Sequence, residues 1–286
     1  MADDPASPQS LSEHGQSPAG DEDQHRQRSA IDTTVPHSAR VWNYLLGGKD
    51  HYPVDRGAGE MVLQVFPGMA DLTRQSRLML VRVVRYLAGE AGIRQFLDIG
   101  TGLPTASNTH EVAQDAAAES RIVYVDNDPL VLVHARALLT STPEGACDYI
   151  ESDVRKPELI LAEAARTLDF TRPTALMLMG ILGLVEDFDQ ARSIVSRLMD
   201  ALPSGSYLAV YDGADTDPAY VEAIRRYNAG SGAAPYTPRS PEQISRYFDG
   251  LELLPPGVVT VSRWRPDPGG QGATEVSCAG GVGRKP

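Results

Sequence analysis

From Pro36 onward, apolar residues recur three and four positions apart: Ala39, Trp42 and Leu46, with Gly47-Gly48 ending the run. That spacing predicts a helix. A second stripe, Ala58, Met61, Val62, Val65 and Phe66, closes at Pro67-Gly68. The third is the longest and joins Leu72, Met79, Leu80, Val83, Val84 and Leu87, with Arg74, Arg77, Arg82 and Arg85 mostly off the stripe and Ser76 as its polar interruption. The period then changes. Short apolar runs at 96–99, 122–125, 147–151, 175–179 and 206–211 alternate with helical stretches that run to about residue 118, from 129 to about 139, and from 187 to 201. The run 175–179 is apolar throughout, as in a central parallel strand covered on both faces. Residues 217–248 predict one or two helices broken between Gly230 and Pro241, and a last hairpin pairs 258–264 with 274–279.

Alternating strands and helices followed by a hairpin specify an α/β fold. The expected architecture is a Rossmann-like doubly wound sheet, mostly parallel, of about seven strands, with an antiparallel C-terminal edge strand and an N-terminal helical cap. The cap occupies residues 31–90 and the sheet domain 91–286. Residues 1–30 are acidic and polar, with Leu11 almost the only large apolar side chain, and predict a disordered tail.

Composition narrows the partners. Of 286 residues 42% are hydrophobic, enough for a real core, while 26 Lys and Arg against 38 Asp and Glu leave a formal charge of −12. Such a surface repels phosphate backbones and anionic membranes, so nucleic acid is not the expected substrate. The two cysteines, Cys147 and Cys278, are too few for a disulfide framework or a Cys-based zinc site. With no basic-then-apolar leader and no run of eighteen apolar residues, the expected location is the cytoplasm, as a protein that neither spans nor binds a membrane.

The chemistry gathers where the first strand ends: Gln95-Phe96-Leu97-Asp98-Ile99-Gly100-Thr101-Gly102-Leu103-Pro104-Thr105. An apolar run closes on an acid, two glycines follow one residue apart, and Pro104 stands where a helix could begin. The backbone N–H groups of such a turn suit a polar or anionic ligand. The nicotinamide dinucleotide fingerprint needs a third glycine, and Thr105 stands in its place. Asp126, which ends the second strand about 20 residues past this turn, is where doubly wound folds hydrogen-bond ribose hydroxyls.

These segments, together with Val123-Tyr124-Val125-Asp126-Asn127-Asp128-Pro129, Tyr44-Leu45-Leu46-Gly47-Gly48-Lys49-Asp50 and Pro203-Ser204-Gly205-Ser206-Tyr207-Leu208, resemble the bacterial S-adenosylmethionine (SAM) methyltransferase family long filed as a domain of unknown function. The resemblance runs from about residue 32 to the C-terminus. It implies a class I methyltransferase that uses SAM as cofactor, bound by Asp98, Gly100, Thr101, Gly102, Asp126, Asn127, Asp153, Val154 and Gly180. In that scheme the turn passes the methionine part, Asp126 takes the ribose, and Asp153 with Val154 meets the adenine. Two departures stand out: Ser76 precedes Arg77 where the family usually has Asn, and Gly183 stands where it often has His after the fourth strand.

The leading reading is therefore methyl transfer to a small-molecule acceptor. No Asn-Pro-Pro-Tyr and no Pro-Cys dipeptide is present, so the signatures of methylation at amide or exocyclic nitrogens and at cytosine carbon are missing. The loop from Tyr44 to Arg56 reads as a lid over the pocket, with His51 as the candidate proton acceptor, because imidazole titrates near neutrality, and Tyr44 beside it. Asp50 or Asp55 capping the next helix is the structural alternative for this loop. Two rival functions stay open: a SAM-binding sensor without turnover, motivated by Gly183, and a nicotinamide-dependent oxidoreductase.

Overall fold

The computed structural model describes residues 31–138, 140–267 and 274–286. The expected tail, residues 1–30, lies outside the described residues. Three helices come first: α1 (Ser38–Leu45), α2 (Pro53–Val65) and α3 (Met69–Gly89). Then follow β1 (Gln95–Ile99), α4 (Thr109–Ala116), β2 (Arg121–Asp126), α5 (Pro129–Leu138), β3 (Ala146–Glu151), α6 (Pro157–Ala164) and β4 (Ala175–Met179). The chain continues through α7 (Phe188–Asp200), β5 (Tyr207–Gly213), α8 (Pro218–Gly230), α9 (Pro241–Ser245), β6 (Glu252–Leu253), β7 (Val259–Thr260) and β8 (Cys278–Arg284). The sheet has eight strands in the order β3-β2-β1-β4-β5-β8-β6, with β7 also paired to β8. β1 to β5 run parallel, and β8 runs antiparallel to β5, from Tyr207 opposite Arg284 to Gly213 opposite Cys278. Strand order reverses between β1 and β4, and in a doubly wound sheet a ligand crevice opens outside the carboxyl ends of the strands at that point.

Alternate strand residues feed two cores. Phe96, Ile122, Tyr124, Met177, Ala209 and Tyr211 pack with Leu72, Met79, Val83 and Leu87 of α3, whereas Leu97, Ile99, Val123, Val125, Leu176 and Leu178 pack with Ile160, Ile194 and Leu198 on the other face. All five residues of β1 and all five of β4 are buried, which is why those runs carry apolar side chains on both faces. Asp98 sits between Leu97 and Ile99, so it points to the face covered by the N-terminal helices.

Two expectations need correction. The helix after the glycine turn starts at Thr109 rather than at Pro104, because Asn108 and Glu111 form its capping box and Ser107 just before it has a φ of 61°. The final strand reaches Arg284, past the expected end of the hairpin at residue 279. Gly280, Gly281 and Gly283 hid it, since glycine disfavours strands. Here glycine is required: a Cβ on Gly280 would lie 2.6 Å from Tyr211 Cβ, and one on Gly283 would lie 2.9 Å from the Phe248 ring.

Candidate active site at the strand-order reversal

Backbone hydrogen bonds shape the turn after β1. Gly100 N–H donates to Val125 O at 2.8 Å, and Thr101 Oγ1 donates to Asp98 O at 3.0 Å. Gly100 and Gly102 have φ of 78° and 69°, the left-handed region that glycine enters without strain. At Gly102 nothing lies within 4 Å of where a side chain would project, whereas at Gly100 a Cβ would lie 2.7 Å from Ile181 Cβ. Asp126, at the end of β2, ties the turn to the neighbouring strand: its Oδ2 accepts from Gly102 N–H at 2.8 Å and its Oδ1 from Asp128 N–H at 2.9 Å. Asp98 Oδ2 accepts from Thr109 Oγ1 at 2.6 Å. Burial pushes the Asp98 carboxyl up to about 6, against the lowering effects of the Thr109 hydrogen bond and the Arg77 charge. Burial also raises Asp126, and the N–H groups of Asp128 and Gly102 oppose it. Both acids thus hold their protons more readily than an exposed carboxyl does.

A cavity opens on this turn. Every cofactor residue expected from sequence borders it: Asp98, Gly100, Thr101, Gly102, Asp126, Asn127, Asp153, Val154 and Gly180. Asp153 caps no helix, since α6 begins at Pro157; its carboxylate accepts from Arg155 N–H at 2.8 Å and pairs with the Arg155 guanidinium. Tyr44 and His51 are not brought to the wall. Their rings meet edge to face at 5.2 Å, and the Tyr44 ring fills the space over Gly59. The loop that holds them is anchored by Asn43, whose Oδ1 accepts from Asp50 N–H at 3.0 Å. Asp55 takes the capping role: its carboxylate accepts from Tyr52 N–H at 2.8 Å and from His37 N–H at 2.9 Å.

Sequence reasoning missed much of the far wall. Arg77 of α3 borders the cavity, donating to Ser107 O at 2.9 Å while its Nε is buried without a partner among the described residues. Tyr211, Gly213 and Tyr236 border it at the end of β5, and Asp212 lies fully buried behind them. An acid ending a strand is the signal that marked Asp98 and Asp126, and it marks Asp212 equally.

Residues 24–286 match the model of a family described as S-adenosyl methyltransferase. The chain belongs to that family. This methyltransferase is similar to a solved DUF574 family protein from Streptomyces avermitilis, at 46% identity, covering 90% of this chain and 100% of that one with a TM-score of 0.85. It is also similar to a protein from Thermobifida fusca described as a candidate methyltransferase, at 43% identity, covering 89% of this chain and 96% of that one with a TM-score of 0.81. An O-methyltransferase family protein from Burkholderia thailandensis, 15% identical over 76% of this chain and 58% of that one, is alike in fold alone, with a TM-score of 0.51. No curated protein sequence matches this chain. The methyltransferase uses SAM, and its cavity fits that molecule: acids stand at the ends of β1 and β2 for a cationic ligand, Gly102 leaves open space, and Val154 offers an apolar surface. Among the described residues no helix is long and apolar enough to cross a membrane.

Proposed function

We infer that the enzyme methylates a small-molecule acceptor held between the strand tips and the N-terminal helices. The observation that carries this reading is the convergence of all nine expected cofactor residues on one cavity at the reversal of strand order, roofed by apolar side chains of α1, α2 and α3. Asp98 takes the ammonium end of SAM and the N–H groups of the turn pass its methionine part. Arg77, with an unpartnered Nε, takes the carboxylate, Asp126 the ribose hydroxyls, and Asp153 with Val154 the adenine. SAM, when bound, supplies a methyl group already activated on a cationic sulfur. What remains for the chain is to hold the acceptor in line, exclude water and accept a proton.

The binding-only alternative drew on Gly183, and Tyr236 fills the space that a side chain there would occupy, which removes its motive. Two unpaired cysteines and the acidic surface support action in the cytoplasm on a soluble acceptor. Calorimetry with SAM, S-adenosylhomocysteine and NAD tests the reading: the two sulfur nucleosides should bind and NAD should not. Binding of NAD alone would overturn it.

A further inference from the structure

Two glycines make room for one phenol ring. Gly183 lies in the short turn after β4, and a Cβ there would run into the Tyr236 ring. Gly213 ends β5, and a Cβ there would meet Tyr220 Oη and lie 3.0 Å from Tyr236 Cε1. The backbone then clamps Tyr236 over both positions. Tyr236 N–H donates to Asn228 Oδ1 at 2.9 Å, Asn228 Nδ2 donates back to Tyr236 O at 2.8 Å, and Thr237 N–H donates to Gly183 O at 2.8 Å. Its Oη accepts from Gly213 N–H at 2.8 Å and donates to Asp212 Oδ1. Asp212 has no exposed surface, and among the described residues its Oδ2 has no hydrogen-bond partner of good geometry, although the Gly183 N–H is near enough to favour its charge. An orphaned buried carboxylate oxygen is costly and calls for a purpose.

Tyr236 borders the cavity and Asp212 does not. Tyr236 therefore stands between the cavity and the Asp212 carboxylate. Burial pushes Asp212 up to about 6, so it is ionised at neutral pH yet a stronger base than an exposed carboxylate. The part of the wall supplied by the helices carries many apolar side chains, among them Trp42, Leu45, Val62, Leu72 and Ile224, beside the polar Asn43, Tyr220 and Tyr227. A charged amine would be poorly solvated there. A phenolic hydroxyl matches better, since it enters as a neutral donor that can extend the Tyr236–Asp212 hydrogen-bond chain.

Building on the SAM reading above, we propose that Tyr236 is the proton acceptor facing the substrate, that Asp212 is the positioning residue that draws the Tyr236 proton away, and that the acceptor is an apolar phenol. In the step, the acceptor oxygen forms its bond to the methyl carbon as the methyl–sulfur bond breaks. The acceptor proton passes to Tyr236 Oη while the Tyr236 proton passes to Asp212 Oδ1. Asp212 leaves the step as the neutral acid, and its proton returns through Tyr236 Oη to water that enters the cavity after product leaves, so no oxidant or reductant is needed.

The test uses the full chain with 4-propylphenol, 4-propylaniline and 4-propylthiophenol as probes and follows S-adenosylhomocysteine formation. The phenol should be the methylated probe. Tyr236→Phe should lower its kcat by about 10²- to 10⁴-fold, the usual range for a lost proton acceptor, while S-adenosylhomocysteine affinity stays within about twofold. Asp212→Asn keeps the hydrogen-bond acceptor, should lower kcat, and should erase the acid limb near pH 6 from the rate profile. A readout free of any acceptor is the alkaline titration of Tyr236 by difference absorbance, with Tyr236→Phe as blank. Its midpoint should fall in Asp212→Asn, because burial first and the Asp212 charge second hold Tyr236 well above the ordinary tyrosine value, and the variant removes the second. An unmoved midpoint overturns the pairing. Undiminished phenol methylation by Tyr236→Phe, methylation of only the aniline or thiol, or no methylated probe in a protein that binds S-adenosylhomocysteine overturns the proposal. A protein that fails to bind S-adenosylhomocysteine overturns the underlying SAM reading instead.

Discussion

The two walls of the cavity are built differently. The wall made by the tips of β1, β2 and β3 comes from short contiguous segments, and main-chain N–H groups fix its shape: Gly100 to Val125 O, Gly102 to Asp126, Asp128 to Asp126. The opposite wall is assembled from side chains far apart in sequence, with Trp42, Leu72, Tyr211, Tyr236 and Cys278 all bordering one space. A ligand shared by a whole family can be met by backbone geometry, which a short motif encodes. A ligand particular to one enzyme is met by side chains that only the tertiary fold brings together.

The sharpest way to break the first wall is at Gly100. Gly100→Ala combines a left-handed backbone with the clash on Ile181 and should cost roughly 2 to 4 kcal/mol of stability, against about 1 kcal/mol for Gly102→Ala, which has open space. Denaturant melts of the two variants check this, and equal losses would show that Ile181 yields. Next in size, Asp126→Ala should weaken SAM binding about ten- to hundredfold, because under the ribose assignment proposed above a charge-assisted contact is lost together with the anchor of Gly102. Calorimetry reads the change, and unaltered affinity in a folded variant would remove the ribose assignment.

A smaller effect comes from pH. Asp98 is held at about 6 in the fold, above its ordinary 3.8, so folding favours its protonated form. That stabilising contribution is complete below about pH 4 and is lost as pH rises through about 6. SAM binding should carry the opposite sign, since in the proposed assignment it is the ionised carboxylate that receives the ammonium group. Affinity should therefore weaken about tenfold from pH 7 to pH 5, and Asp98→Asn should flatten that slope. A slope that persists in the variant would move the titration to another group. The smallest effect is expected on the loop: His51→Ala should leave SAM affinity within about twofold, because His51 is off the cavity wall and meets Tyr44 instead. A larger loss would show that the loop swings onto the ligand.

The same contrast explains what could be read from the chain. The apolar runs of β1 and β4 announce buried parallel strands, and Asp98 and Asp126 announce themselves as acids at strand ends. Asp212 has the same place on β5, but its partner Tyr236 lies in the loop between α8 and α9, where no local period fixes its position. Gly183 reads as a loss in sequence, and only the fold shows a ring standing in that space. Pro104 offers a plausible helix start, yet the capping pair Asn108 and Glu111 wins because it satisfies two end groups at once. β8 was half hidden because its glycines follow the shape of β5 and Phe248 rather than any propensity.

The placement of β8 also sets a timetable for synthesis. α3, which begins at Met69, is closed from below by residues made some two hundred positions later: Arg82 donates to Val261 O at 2.6 Å and to Trp264 O at 2.8 Å, and Ser76 meets Cys278 at 3.5 Å. On the ribosome β5 therefore emerges as an open edge, with its long antiparallel partner still unmade and one side of the cavity unwalled. The early helices and strands can condense, but the side of the pocket that Cys278 borders stays open until β8 is made. A nascent chain halted near residue 260 should be cut by protease within α3 more readily than a chain that includes β8, because Arg82 and Ser76 then lack their partners.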